Sequence, residues 1–295
     1  MPVEDPPAAL VAMNLALLMA MAYSLMCWAK WIANYRSDLS ALPSAMLPPR
    51  PRERPFWNPG DALIMMGSMQ VIAGLAVGAL TLSGLASRGT DTKSPEGAAY
   101  LITVTLAAGV VASLITLVWL RFRDRDAVSK LSLRLNDEDG ILGLKAALMI
   151  LPPVLLISAI ASQLVTYEHP VLDSMAGLND PLKFSMIFIG TAIVTPFVEE
   201  FLFRVLLQGG LERIADPIAE EGEQWRPRSY WPMVVSSLVF AMMHLGQGAA
   251  PIPLFFLSLG LGYLYRQTGN ITAPMIVHMV LNGTTILMEG IRVMG

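Results

Sequence analysis

The chain repeatedly runs apolar for the length of a helix, and no other feature limits its fold as strongly. Such runs occupy residues 8–28, 62–87, 98–120 and 146–165. A fifth opens near Leu182 and continues to Leu211, and shorter ones follow at 233–245, 252–265 and 271–288. A helix crossing the hydrocarbon core needs about 20 apolar residues, so about eight spans would use roughly 160 and leave room for loops. The expected fold class is all-α, a polytopic transmembrane helical bundle. Composition agrees: 54% of residues are hydrophobic and 15% charged, against about 25% charged in a soluble domain. With 20 basic against 23 acidic residues, a disordered chain and a nucleic-acid-binding module are both excluded. The single cysteine, Cys27, sits inside an apolar run and excludes a disulfide scaffold or a structural zinc site.

The first run contains a cleavage-like Ala20-Met21-Ala22. It is long for a signal sequence, and Glu4 and Asp5 precede it where Lys or Arg would be expected, so it reads as a retained span. With eight spans, sixteen of the 20 basic residues fall on one side, leaving Arg88, Lys93, Lys183 and Arg292 on the other. The positive-inside rule puts the richer side in the cytoplasm and both termini outside it. On the cytoplasmic side, residues 48–55 read as a stiff, basic connector. Trp225, Tyr230 and Trp231 read as an interfacial anchor, and Gly74 with Gly78 as a close-packing pair. The division expected is residues 1–181, four N-terminal spans with loops, and residues 182–295, the helices that carry polar clusters.

Those clusters are where chemistry is expected. The fifth run is about 45 Å long as a helix, more than the bilayer needs, and Glu199 lies about 20 Å below its cytoplasmic tip. Two adjacent carboxylates at that depth are costly unless paired, protonated or wetted. Glu200 and Arg204 form an i,i+4 pair in the favourable order, whereas Glu199 points about 100° away and faces a cavity; the bland alternative is a charge cluster at the headgroups. His278 and Asn282 share one helix face. His244 is about 20 Å in from Trp231, and His278 and Asn282 are about 10 and 18 Å in from Ile271. A lone intramembrane histidine is ordinarily a packing residue, but two at matched depth with an unpaired acid are not lone. His169 belongs to an extracytoplasmic loop and reads as uninvolved, and Asn270 to Thr272 as the cap of the last helix.

Desolvation raises a carboxylate's pKa and lowers an imidazole's, which brings a buried glutamate toward neutrality and keeps a buried histidine neutral, states in which a general base is useful. Glu199 and His244 can share a water and take its proton as it attacks a carbonyl, with His278 and Asn282 donating to the oxyanion. The competing set is Glu199, His244 and His278 as zinc ligands with an open fourth position. Both arrangements hydrolyse. A third class, a proton- or ion-coupled carrier or a non-catalytic scaffold, uses the same buried groups without hydrolysis, although the repeat symmetry common in carriers is missing.

Glu199-Glu200-x-x-x-Arg204, Phe240-x-x-x-His244 and His278-x-x-x-Asn282, in that order, resemble the three motifs of the CPBP family, which comprises type II CAAX prenyl endopeptidases and bacterial abortive-infection proteins. The likeness spans residues 182–288 and makes 182–295 the catalytic core. It implies an all-helical intramembrane endopeptidase whose catalytic cavity opens to the cytoplasmic side. Carried over, Glu199 and His244 activate water, His278 and Asn282 form the oxyanion hole, and Glu200 and Arg204 position the site. No cofactor is required in that mechanism, zinc being the older alternative. The implied partners are the lipid bilayer and a peptide or lipid-anchored protein substrate, with no nucleic acid, in a multi-pass protein of the bacterial plasma membrane. His-Glu-x-x-His, Gly-x-Gly-Asp and Gly-x-Ser-Gly, the marks of other intramembrane proteases, do not occur.

Overall fold

The computed structural model describes residues 8–84, 95–164, 181–216 and 224–294, and every regular element among them is helical. The apolar runs become α1 (Ala8–Asn34), α2 (Pro59–Leu82), α3 (Pro95–Arg123), α4 (Asp137–Ala161), a composite α5, α6 (Trp231–Met242), α7 (Pro251–Thr268) and α8 (Thr272–Met294). α5 is α-helical over Pro181–Ile189, Thr195–Glu200 and Gly209–Ala215, and π-helical over Gly190–Val194 and Phe201–Gln208. His169, Arg88 and Lys93 lie outside the described residues.

Among the described residues five helices, α1 to α5, have the length and apolarity to cross a membrane. This is fewer than the eight expected. α6 has 12 residues, about 18 Å at 1.5 Å per residue, short of the ~30 Å hydrocarbon core. α7 and α8 have the length but are interrupted by the polar side chains that build the interior. Burial orders the bundle: 6% of the apolar window of α1 and of α2 is buried against protein, against 44% of α5, which makes α5 the central helix.

Local rules explain the joints. Asn58 caps α2 in a reciprocal box with Asp61, and Pro59 opens the helix. The same Asp61 accepts from Trp119 and Arg123, pinning the start of α2 to the end of α3. Inside α4, Pro153 has no N–H for the Met149 carbonyl four residues back; Ser24 and Trp28 of α1 donate to that carbonyl instead, at 3.1 and 2.9 Å. α1 thus docks through polar contacts while its apolar side chains stay outward. Asn270 accepts from the Thr272 amide at 2.7 Å and caps α8. Gly143 lets α4 approach α8, since a Cβ there would stand 2.8 Å from the Ala273 carbonyl oxygen. Gly74 and Gly78 face open space and are not a packing pair. A Cβ at Gly210 would stand 2.6 Å from the backbone of Asn58 and Pro59. Gly210→Ala is therefore expected to cost about 1–3 kcal/mol, read as a lower melting temperature in detergent.

Residues 48–57 are no simple connector. Arg50 pairs with buried Asp139 at 2.6 Å, and Arg52 pairs with fully buried Glu212. Arg54 donates to the Arg213 carbonyl, and the Trp57 indole to the Val205 carbonyl, each at 2.7 Å. Trp225, expected at the lipid interface, is buried beneath the Arg52 guanidinium at 5.4 Å. Periodicity carries no information about such a strap, because its partners are far apart in sequence. A cavity of about 300 Å³ opens beside it, lined by Arg52, Trp57, Ser129, Lys130, Ser132 and Tyr265 among others; none of the motif residues lines it.

Candidate active site

The site begins on α5. Thr195–Glu200 returns to α-geometry between the two π-helical segments, a kind of irregularity frequent at functional sites. Successive residues there point to different sides. The Glu200 side chain is 0% exposed and Glu199 is 23% exposed. Glu200 accepts from Arg204 Nε at 2.9 Å, the i,i+4 pair of the sequence pattern. Arg204 is wholly buried, with its guanidinium 5.4 Å from the Phe240 ring centre. Its two Nη atoms have no hydrogen-bond partner among the described residues.

α8 brings the imidazole. His278 Nδ1 lies 2.9 Å from Glu200 Oε1, and its Nε2 lies 3.5 Å from Glu199 Oε2. A carboxylate beside a guanidinium accepts, so Nδ1 carries a proton and Nε2 is turned to Glu199. One turn on, Asn282 Nδ2 donates to the Thr191 carbonyl in the first π-helical segment at 3.0 Å. Its second N–H is left for another acceptor.

α6 ends at Met242, and His244 sits in the turn that follows, before Gly246 at φ 96°. The sequence places His244 near the end of the sixth apolar run; in the structure it lies two residues past the end of the helix. His244 Nδ1 donates to the Phe240 carbonyl at 2.9 Å, leaving Nε2 as the free nitrogen. The Phe240 ring stands between the imidazoles, 4.9 Å from that of His244 and 6.0 Å from that of His278. Five of the six residues singled out in the sequence are thus tied together, Glu199, Glu200, Arg204 and His278 directly and His244 through Phe240. Asn282 is held by the Thr191 carbonyl.

As zinc ligands the same residues do not converge: among the described residues, no group of three or more His, Cys, Asp or Glu is placed to hold a metal ion. The arrangement does supply a partly exposed carboxylate, an oriented imidazole and a carboxamide donor on an apolar scaffold. Residues 181–284 match the family model of the type II CAAX prenyl endopeptidases, Rce1-like. The resemblance carried by the three motifs is borne out over that stretch, about a third of the chain. No curated protein and no solved structure matches the chain.

Two contributors escaped the sequence reading. Phe240 entered only as a motif letter, although its ring packs against three members of the site. Thr191 contributes a backbone carbonyl, for which no side-chain pattern exists. Glu200 was expected to pair with Arg204 and position the site, and in the structure the group it contacts there is His278 Nδ1.

Proposed function

We propose that this chain is an intramembrane endopeptidase of the CAAX-protease type, hydrolysing a peptide bond near the cytoplasmic membrane face. The observation that carries this reading is His278 held between two glutamates inside an apolar bundle, on the stretch that matches the Rce1-like family. In this reading Glu199 acts as the ionised base, and a proton on His278 Nε2 makes that nitrogen a hydrogen-bond donor. Glu199, with His244 Nε2, takes a proton from water as its oxygen bonds to the scissile carbonyl carbon. The displaced carbonyl electron pair becomes an oxyanion, met by His278 Nε2–H and the second N–H of Asn282. Collapse breaks the C–N bond, and the leaving amine takes back the proton held by the base. The substrate is a peptide or lipid-anchored protein reaching the site from the bilayer, and the basic loops place its cytoplasmic side.

The test uses purified protein in proteoliposomes with quenched fluorescent peptides, lipidated and unlipidated. Wild type is expected to cleave, and His278→Ala to lose about 10²–10³-fold in kcat, the usual loss for an oxyanion donor. Undiminished cleavage by His278→Ala overturns the mechanism. Ion or proton flux without cleavage supports a carrier and overturns the peptidase.

A further inference from the structure

Asn282 is held by a carbonyl that a regular helix would not release. In α-geometry the Thr191 carbonyl accepts from the Thr195 amide, four residues on. Here the Thr195 amide donates to Gly190, five residues back, in the π register. Continuing that register, Thr191 would accept from residue 196, which is proline and has no N–H. Both intrahelical partners of the Thr191 carbonyl are therefore gone. Buried carbonyls left unpaired are costly, and this one is met by Asn282 Nδ2 from α8 at 3.0 Å.

We infer that Pro196 is a positioning residue for Asn282: by withholding an amide from α5, it keeps the Thr191 carbonyl available to fix the carboxamide toward the site. Pro196 is itself buried, three residues before Glu199, so one short segment supplies both the acid and the anchor of the amide. The inference rests on the proposed peptidase reading for its activity readout and on hydrogen-bond geometry for its structural one.

The experiment compares Pro196→Ala, Asn282→Ala and the double variant on the same peptides, with hydrogen exchange measured at the segment around residue 196. Alanine restores an N–H and favours helix, so Pro196→Ala is expected to keep or raise the melting temperature. Its new amide is expected to be protected from exchange by the recaptured Thr191 carbonyl. In the same variant kcat is expected to fall at least tenfold with KM unchanged, and adding Pro196→Ala to Asn282→Ala to cost nothing further. Full kcat in Pro196→Ala, a multiplicative loss in the double variant, or a freely exchanging amide at 196 would each overturn the inference. Glu199→Gln, run alongside, separates the failures. If it is active, the peptidase mechanism falls; if it is inactive while Pro196→Ala is fully active, only the role of Pro196 falls.

Discussion

Glu199→Gln is expected to give a folded, membrane-inserted protein that has lost about 10²–10⁴-fold in cleavage, the usual contribution of a general base. The substitution keeps shape and volume. Glu199 is the more exposed of the two glutamates and takes no guanidinium hydrogen bond, so little of the fold depends on its charge. Glutamine accepts no proton from water. Its amide N–H₂ turned to His278 Nε2 would also hold that nitrogen unprotonated, removing the oxyanion donor as well as the base. A melting temperature close to wild type together with absent turnover is the expected pair of readings, and either one alone would be uninformative. Glu199→Asp, retaining a carboxylate set back by one methylene, is expected to fall between the two.

The second large effect is on stability. Arg204→Met removes the cation from a pair in which both side chains are 0% exposed. Breaking a buried pair on one side costs about 3–5 kcal/mol, because the remaining charge stays desolvated without its partner. The Phe203 and Phe240 rings packed edge-to-face beside it, 5.1 Å apart, cannot solvate the stranded Glu200 carboxylate. Replacing both members with apolar residues, Glu200→Leu with Arg204→Met, is expected to recover most of that loss, since apolar pairs often match buried ion pairs in stability. Activity is not expected to return, because His278 Nδ1 then lacks the carboxylate that orients it. Urea or thermal unfolding in detergent, beside peptide turnover, reads both. A double variant as active as wild type would show that the Glu200–His278 contact does nothing for the chemistry.

Much of this was legible in the sequence, because helical geometry is local. The i,i+4 spacing of Glu200 with Arg204 and of His278 with Asn282 fixes shared faces whatever the tertiary fold. The depth arithmetic on Glu199, His244, His278 and Asn282 assumed only the rise of a helix; His278 does meet Glu199, whereas His244 joins the group through the Phe240 ring. What failed depended on irregular or distant structure. The π-helical segments of α5 leave no hydropathy signature, so the Thr191 carbonyl could be suspected only from the missing amide of Pro196. The strap at residues 48–57 looked like a linker because its partners Asp139, Glu212 and Val205 are 89 to 160 residues away. The eight-span count, which assumes that every apolar run crosses the bilayer, goes beyond the five helices among the described residues that have the length and apolarity to span, and α6 ends after 12 residues. Gly74 and Gly78 show the converse error, a motif spacing with nothing among the described residues within 4 Å of where a Cβ would stand.

The most direct measurement compares the peptides shed from membranes of cells that produce either the wild-type protein or Glu199→Gln at equal abundance. New peptide termini next to apolar or lipid-anchored segments, present with wild type and missing with the variant, are the expected result. Identical peptide sets from the two would contradict a peptidase built on Glu199.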